Sequence, residues 1–370
     1  MTMLARTNRS LVGNWWWTID RVLLTGIAVL AGIGVILVLA ASPAVGVKKY
    51  GADMHFFIRH VLFLAPSALL LFVSSLLNPL GVVRLAKVLF FVFLTLLVLT
   101  FVIGIEINGA RRWVGIGALR LQPSEFLKPA LAVFVAWQLA RDQGLAGIPR
   151  TFLLVLPVLG LLALQPDVGM AVVISGVYAA QLFLAGIPWF FVFGLVGLGV
   201  LGLYGAYVFL PHFTERLNDF LDPHSQGYQV EQALRAVASG GLFGRGPGEG
   251  VTKFHLPDAH ADFIFAASAE EFGIIACILL VALFAFIVGR GLWRVYETRD
   301  RFIHLAAAGL VVQFALQALI NMAVNLNLMP TKGMTLPFIS YGGSSFMALA
   351  IAAGMLLALT RRNARVEETV

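Results

Sequence analysis

The chain has 370 residues, of which 59% are hydrophobic and 12% are charged, and its formal net charge is +7. A soluble globular domain carries about 25% charged residues, so this composition excludes a soluble fold and indicates a membrane protein. The basic residues lie at the ends of apolar segments and form no stripe interleaved with aromatic residues. This pattern suits anionic headgroups and excludes a nucleic-acid partner.

Apolar segments of membrane-spanning length recur along the chain. A transmembrane helix needs about 20 apolar residues to cross a hydrocarbon core of about 30 Å. The first segment is too long for a signal-peptide core and lacks a convincing cleavage site, so we expect it to remain as the first membrane helix. The sequence predicts an all-α polytopic membrane protein with about ten transmembrane helices, in a single transmembrane domain over residues 1–370. The predicted spans are residues 18–41, 54–77, 86–105, 124–141, 151–165, 168–187, 189–210, 261–289, 303–328 and 343–360.

Basic residues in the short connections set the orientation, because Lys and Arg concentrate on the cytoplasmic side of a membrane. They lie before the first span, after the last span and in three of the connections, all of which fall on one side of the membrane. We therefore predict that both termini are cytoplasmic and that residues 211–260, between the seventh and eighth spans, form a large extracytoplasmic loop. The basic residues used are Arg6, Arg9, Arg84, Lys87, Arg141, Arg150, Arg290, Arg294, Arg299, Arg301, Arg361, Arg362 and Arg365.

The connection of residues 107–123 departs from this charge bias. It is predicted to face outward, yet it contains Arg111, Arg112 and Arg120, with Trp113 among them. Basic residues on the outer side suggest an anionic partner at this connection. An ordinary interfacial anchor of arginine and tryptophan is the alternative.

Four glycines alternate in the large outer loop, at positions 244, 246, 248 and 250. Alternating glycines occur in phosphate-binding loops, but no strand precedes these and no Gly-Lys-Ser/Thr sequence follows them. We therefore expect a flexible outer loop here and no nucleotide site.

Ionisable side chains at membrane depth cost several kcal/mol unless they are paired or hydrated, so each one is a functional candidate. Glu125 and Lys128 are three residues apart on one helix face, where they are as compatible with a structural ion pair as with a site. Asp167 lies at an outward hinge between the fifth and sixth predicted spans. Glu270 and Glu271 lie deeper in the eighth span, and we expect them to hold the bundle together.

Asp262 opens the eighth predicted span at the outer interface. It is a candidate catalytic carboxylate, or it caps the helix, since a carboxylate near a helix N-terminus is favourable by a few tenths to about 1 kcal/mol. The spacing of His255, Asp258, His260 and Asp262 matches no common zinc pattern. Because the single cysteine, Cys277, lies inside an apolar segment, we predict no disulfide and no cysteine-ligated metal.

Several long motifs occur in the order found in one known family. In these motifs the sequence resembles the SEDS proteins, which act in shape, elongation, division and sporulation. The resemblance covers nearly the whole chain, and the stretch of residues 325–345, especially residues 330–337, is closest to the division member of the family. The matching stretches are residues 108–113, 122–128, 165–169, 227–229, 256–265, 270–271 and 337–345.

The SEDS proteins are polytopic peptidoglycan glycosyltransferases, and the resemblance implies that activity for this chain. The implied reaction polymerises lipid II, an undecaprenyl-diphosphate-linked disaccharide pentapeptide, on the outer face of the cytoplasmic membrane. The implied partners are a class B penicillin-binding protein, which supplies the transpeptidase, and other membrane proteins of the division machinery. The implied location is the inner membrane at the division septum.

The resemblance also assigns candidate site residues. The essential aspartate of the family falls on Asp262. The family's lipid-diphosphate and cavity residues fall on Arg112, Glu125, Lys128 and Asp167. This sequence has Asp258 where the family commonly has Glu and Ala261 where it commonly has Thr; the second change puts only a local hydrogen bond in doubt. The substrate-binding candidates in the matching stretches also include Arg111, His260, Lys332 and Ser344.

The residue inventory agrees with this chemistry. A glycosidase normally needs two carboxylates because a sugar alcohol leaves poorly, whereas diphosphate is already a good leaving group. One base to deprotonate the acceptor hydroxyl, with cations to stabilise the departing anion, is therefore sufficient. A divalent cation, Mg or Mn, is compatible with the second task, although no metal ligand is assigned.

Two other functions are compatible with a charged polytopic bundle. A lipid II flippase or transporter would line a translocation path with its intramembrane charges, but we find no internal repeat, and the charges cluster on the outer side. A non-catalytic division scaffold would recruit other membrane proteins through its helices, which leaves the outward arginines and Asp262 without a purpose.

Overall fold

The computed structural model describes residues 11–107, 110–116, 119–142, 144–209, 211–221, 228–330 and 333–361. Its helices are α1 (Leu11–Thr18), α2 (Arg21–Tyr50), α3 (His55–Ser75), α4 (Pro79–Ile103), α5 (Pro123–Arg141), α6 (Gly147–Leu164), α7 (Val168–Leu184), α8 (Trp189–Phe209), α9 (Pro211–Leu221), α10 (Tyr228–Gly240), α11 (Ile264–Tyr296), α12 (Arg301–Asn325) and α13 (Gly343–Leu359). Its strands are β1 (Ile105–Ile107), β2 (Ala110–Ile116) and β3 (Leu119–Leu121), and short 3₁₀ turns lie at Gly144–Ala146 and Thr252–His255.

The predicted spans correspond one for one to helices α2–α8 and α11–α13. Seven of the described helices are long and apolar enough to cross a membrane, namely α2, α3, α4, α6, α8, α11 and α12. Helices α7 and α13 are shorter and apolar, and α5 carries Glu125 and Lys128 in its first two turns. The predicted helical polytopic membrane fold is therefore confirmed.

Side chains that accept backbone hydrogens define where several of these helices begin. Asp20 accepts from Leu23 N–H at 3.1 Å before α2, and Asn78 accepts from Gly81 N–H at 2.7 Å before α4. Such N-cap contacts satisfy amide groups that the first turn of a helix leaves without partners.

Helices α5, α12 and α13 form the centre of the bundle, with α5 packed against α4 and α12, and α13 against α3. Close approach depends on small residues, since a Cβ on Gly354 of α13 would collide with Ser74 of α3. Helix α8 lies at the periphery, because none of its most apolar 18-residue window is buried. The central position of α12 matters for the site, because its four amide side chains are almost completely buried.

A small antiparallel sheet, which the sequence did not predict, occupies part of the connection of residues 107–123. Its strand order is β1-β2-β3, with Glu106 opposite Arg111 and Gly115 opposite Arg120. Strand β2 contacts the outer end of α4 and the start of α5. The strands are three to seven residues long, so their period-two pattern is too short to distinguish from a loop.

The prediction of a flexible glycine loop is wrong for residues 241–250. Arg245 N–H donates to Glu270 O at 2.9 Å and Gly246 N–H donates to Glu271 O at 3.0 Å. These carbonyls are available because α11 is broken at Gly273, which has φ 81° and ψ 175°. Ile274 N–H in turn donates to Gly241 O at 3.0 Å. The loop therefore inserts into the backbone ladder of α11 and causes its kink.

Glu270 and Glu271 fasten the outer loop, in agreement with their predicted structural role. Glu270 accepts from the amides of Val251, Thr252 and Lys253 at 2.7 to 2.8 Å. The Lys253 ammonium pairs with Glu271 and donates to Ala40 O of α2 at 2.9 Å. This buried group ties the loop to α2 and α11.

The two ends of the bundle differ as the predicted topology requires. At one end, Asp20 pairs with Arg290 at 2.8 Å and Arg294 at 2.6 Å, and Arg301 donates to Ala185 O at 3.2 Å. The sheet, the glycine loop and Asp262 lie at the opposite end of the helices. The arginine-rich end is the one predicted to face the cytoplasm.

The predicted orientation leads to an accessibility prediction. Phe243 in the glycine loop is 81% exposed and Tyr296 at the end of α11 is 84% exposed. We expect Phe243→Cys to react with a membrane-impermeant thiol reagent in cells whose outer barrier has been opened, and Tyr296→Cys to react only after the membrane is dissolved. The buried Cys277 serves as the internal background. Labelling of Tyr296→Cys in intact membranes would contradict the predicted orientation.

The Asp20 cluster leads to a stability prediction. Burial alone would raise the pKa of Asp20, but the Leu23 N–H and the charges of Arg290 and Arg294 outweigh burial and hold it below its usual value of 3.8. We expect Asp20→Asn to destabilise the purified protein by roughly 2–3 kcal/mol at pH 7, measured by thermal unfolding, because it leaves buried Arg294 with only one of its two carboxylate partners, Glu297.

A lowered folded-state pKa means that this stabilisation is present above pH 3.8 and is lost as pH falls through the folded value. The difference between parent and Asp20→Asn should therefore shrink at lower pH. As control, Asp142→Asn removes the pair with Arg150, whose side chain is 63% exposed, and should change stability by less than about 1 kcal/mol. A constant difference across this pH range would contradict the assignment to the Asp20 charge.

Candidate active site

Asp262 lies at the outer end of the bundle, in a turn two residues before α11 begins at Ile264. The cap residue of α11 is Phe263, which makes no side-chain cap hydrogen bond. The N–H of Ala266 in the first turn instead donates to Asn325 Oδ1 at 3.0 Å. Asp262 therefore lies one residue before the cap position of α11, and Asn325 satisfies one amide of the first turn.

Two amide side chains of α12 hold the main chain of Asp262. Asn321 Nδ2 and Asn325 Nδ2 each donate to the Asp262 carbonyl oxygen at 2.9 Å. The segment after α12 passes on the carboxylate side, where a Cβ added to Gly333 would lie 2.8 Å from Asp262 Oδ2. The Asp262 side chain is only partly exposed, so a fixed carboxylate is presented at the outer end.

His260 belongs to the same turn and is buried against aromatic residues. Its ring stacks on Phe56 of α3, with 3.7 Å between centroids, and its carbonyl accepts from Tyr341 N–H at 3.0 Å. Burial raises the pKa of the Tyr341 hydroxyl, while a hydrogen bond with Arg59 opposes the shift. The turn is thus enclosed by α3 and by the segment before α13.

Glu125 and Lys128 form a buried ion pair, with 2.8 Å between Glu125 Oε2 and Lys128 Nζ. Lys128 Nζ also donates to Gln317 Oε1 of α12 at 2.9 Å. Gln317 Nε2 donates to Thr335 O at 3.2 Å, and the Thr335 hydroxyl bonds to that of Ser345 at 2.7 Å. Since Gln317 is one helical turn from Asn321, about 6 Å along α12, the pair lies deeper than Asp262.

Arg112 and Asp167 meet at the hinge between α6 and α7. Arg112 donates from Nε to Gln165 O at 3.1 Å and from Nη2 to Pro166 O at 2.7 Å. Its Nε lies 4.0 Å from Asp167 Oδ2, and 26% of its side chain is exposed. Asp167 is buried and caps α7 through Met170 N–H at 3.3 Å. Arg112 therefore braces the hinge with part of its guanidinium.

Of the remaining candidates, the structure describes Arg111 and Ser344. Arg111 pairs with Glu106 across the sheet at 3.3 Å, with both side chains more than half exposed. Ser344 is buried at the start of α13. Lys332 lies outside the described residues. Within the described ranges, no three His, Cys, Asp or Glu side chains lie close enough together to hold a metal ion.

The amide side chains of α12 were missed from the sequence. They recur at every fourth residue and so share one helix face, and all four are almost fully buried. Their signal in the sequence is the spacing itself, because amides at every fourth position inside an apolar span identify one polar helix face. The four residues are Gln313, Gln317, Asn321 and Asn325.

Comparisons with known proteins agree with the geometry. The family model FTSW_RODA_SPOVE, described as "Cell cycle protein", matches residues 21–365. A Caulobacter vibrioides (strain NA1000 / CB15N) protein named "Probable peptidoglycan glycosyltransferase FtsW" is 45% identical over 368 residues, which cover 97% of this chain and 93% of the relative. A Legionella pneumophila protein of the same name is 37% identical, over 93% of this chain and 91% of the relative.

Two solved structures have the same fold. One belongs to a structure described as "Structural coordination of polymerization and crosslinking by a peptidoglycan synthase complex", with a TM-score of 0.78 and 31% identity over 93% of this chain and 98% of that chain. The other is the Thermus thermophilus rod shape determining protein RodA, with a TM-score of 0.71 and 30% identity over 93% and 97% of the two chains. The resemblance seen in the motifs is confirmed.

The buried Glu125–Lys128 pair leads to a prediction that separates its structural role from a role in the site. Lys128→Met leaves Glu125 charged and buried without a partner, so we expect a loss of about 3–5 kcal/mol in thermal unfolding. Adding Glu125→Gln removes that charge and should restore most of the stability. As control, Glu231→Gln breaks an exposed pair with Arg235 and should cost less than about 0.5 kcal/mol.

The stable double variant then reports on activity alone. Parent-like activity would make the pair purely structural, and lost activity would place it in the site. Equal stability of Lys128→Met and the parent would contradict the buried geometry.

Proposed function

The chain belongs to the family of FtsW, RodA and SpoVE cell cycle proteins, and we propose that it polymerises lipid II as a peptidoglycan glycosyltransferase. The observation that carries the proposal is the Asp262 carboxylate, partly exposed at the outer end of the bundle and held through its main chain by two buried amides. A polyprenyl-linked substrate keeps its tail in the lipid while its diphosphate and sugars lie at the outer interface. Asp262 lies at that level.

In the proposed reaction, Asp262 acts as the general base. The 4-hydroxyl of the acceptor sugar attacks the anomeric carbon of the donor, and its proton moves to the Asp262 carboxylate. The bond between the anomeric carbon and the diphosphate oxygen breaks, and undecaprenyl diphosphate leaves with the bonding electrons. Diphosphate needs no protonation to leave, so a second carboxylate is not required.

Arg112 is the cation best placed to hold the diphosphate. A guanidinium has five N–H donors, and the two contacts to Gln165 O and Pro166 O fix its orientation while other donors remain. Lys128 differs, because it is buried and its charge is balanced by Glu125. We therefore assign the diphosphate to Arg112 with support from Arg111, and we assign Lys128 to the cavity beneath Asp262.

Further features of the proposal concern partners and location. We propose a class B penicillin-binding protein as the transpeptidase partner, supported by the likeness to a chain from a peptidoglycan synthase complex. The chain is a multi-pass membrane protein, and the inner membrane at the septum is the proposed site of action, supported by the FtsW relatives. No step is assigned to a divalent cation, since the described residues offer no cluster of three ligands.

The proposal predicts that Asp262→Asn greatly slows polymerisation. The substitution keeps size and removes basicity, and loss of a positioned base costs about 10²- to 10⁴-fold. The purified variant with its transpeptidase partner should convert labelled lipid II to glycan polymer at that reduced rate. Its thermal unfolding should match that of the parent if Asp262 acts as the base, whereas failure to fold would support the alternative that its side chain caps α11.

The matched control is Asp258→Asn in the same outer turn. Asp258 has φ 49°, a conformation that asparagine tolerates, so this variant should polymerise at the parent rate. Near-parent polymerisation by Asp262→Asn would overturn the assignment of the base. Absence of polymer with the parent protein would favour the flippase or scaffold function instead.

A further inference from the structure

We infer that Asn321 and Asn325 are positioning residues that orient the Asp262 carboxylate against Gly333 without touching the substrate. The inference rests on the proposed function, because it takes Asp262 to be the base. Asn321 lies outside the stretches that carry the family resemblance, and Asn325 begins the stretch of residues 325–345, in which no role was assigned to it. Both are within 1% of complete burial in α12.

Asn325 joins the Asp262 turn to the first turn of α11. Its Nδ2 donates to Asp262 O at 2.9 Å and its Oδ1 accepts from Ala266 N–H at 3.0 Å. These two contacts lie on either side of the helix start, so one planar amide fixes how the chain enters α11. The direction of the Cα–Cβ bond of Asp262 is fixed with it.

Asn321 joins the same carbonyl to the segment on the other side of the carboxylate. Its Nδ2 donates to Asp262 O at 2.9 Å and to Met334 O at 2.6 Å. Met334 directly follows Gly333, whose added Cβ would lie 2.8 Å from Asp262 Oδ2. One side chain therefore sets the separation between the carboxylate and the backbone that faces it.

The consequence of this geometry is catalytic more than structural. Interhelical hydrogen bonds in membrane bundles contribute little to stability, because the alternative partners are also within the protein. A displacement of about 1 Å in a reacting group can nevertheless cost about 10²-fold in rate. Removing either amide should therefore reduce turnover while leaving the fold and substrate binding in place.

The kinetic test compares Asn321→Ala and Asn325→Ala with the parent in lipid II polymerisation. We expect kcat to fall by about 10- to 100-fold with KM unchanged, and Asn321→Ser, which keeps one donor, to recover part of the loss. In the Asp262→Asn background, the alanine variants should cause no further loss, since the group they position is absent. If an alanine variant fails to fold, its serine counterpart provides the measurement.

The matched control is Gln313→Leu on the same face of α12. The Gln313 side chain is buried and its Oε1 has no hydrogen-bond partner, and no described contact joins it to the Asp262 turn. We expect parent-like kcat and KM. An equal fall in kcat in Gln313→Leu and Asn321→Ala would show that the amides contribute only to packing, and it would overturn the inference.

A geometric test does not depend on activity. In a Cys277→Ala background, Asp262→Cys combined with Gly333→Cys should form a disulfide, because the added Cβ at Gly333 lies 3.6 Å from the Asp262 Cγ position. Adding Asn321→Ala should slow disulfide formation several-fold, and adding Gln313→Leu should not. Unchanged disulfide formation in Asn321→Ala would overturn positioning even if activity fell.

The two proposals fail in different ways. If Asp262→Asn stayed active while Asn321→Ala slowed disulfide formation, the assignment of Asp262 as the base would fail and the positioning of residue 262 by Asn321 would stand. An inactive Asp262→Asn with a fully active Asn321→Ala would keep the base and overturn the positioning role.

Discussion

A polar side chain inside an apolar bundle must find its hydrogen-bond partners within the protein, since neither lipid nor bulk water supplies them. Helix α12 carries amides at every fourth residue through the centre of the molecule, and three of them bind groups on other segments. Gln317 accepts a hydrogen bond from the Lys128 ammonium of α5, while Asn321 and Asn325 donate hydrogen bonds to the Asp262 carbonyl. The main chain of Asp262 and the Glu125–Lys128 pair are therefore both held by one central helix.

The backbone groups at the break in α11 must likewise find hydrogen-bond partners within the protein, and the outer loop provides them. The break at Gly273 releases backbone groups that residues 241–246 satisfy, and Glu270 collects three amides of the following turn. Asp262 lies just before the first part of α11, and the inserted loop marks the end of that part at Gly273. The base and the loop are thus held by opposite ends of one short, rigid helical segment.

The charges of the site divide by depth. Arg112 is partly exposed and holds the α6–α7 hinge through backbone carbonyls, whereas Lys128 is buried and neutralised by Glu125. A cation that keeps free donors at the interface suits a mobile phosphate, and a neutral buried pair suits a fixed cavity wall. This division separates two residues that the family resemblance placed in one group of lipid-diphosphate and cavity residues.

The sequence by itself determined the spans, the charge difference between the ends, and Asp262 as the carboxylate at the outer interface. Hydrophobic length and loop charge are local properties of the chain, so they can be read directly. Only the tertiary structure decided which groups hold Asp262, because its amide partners lie 59 and 63 positions away in the sequence. The same holds for the glycine loop. Its glycines predict a flexible backbone, but the backbone groups of α11 that are released at Gly273 form hydrogen bonds with the loop and order it. It holds also for the sheet, whose strands are too short for periodicity and form because their edges pair.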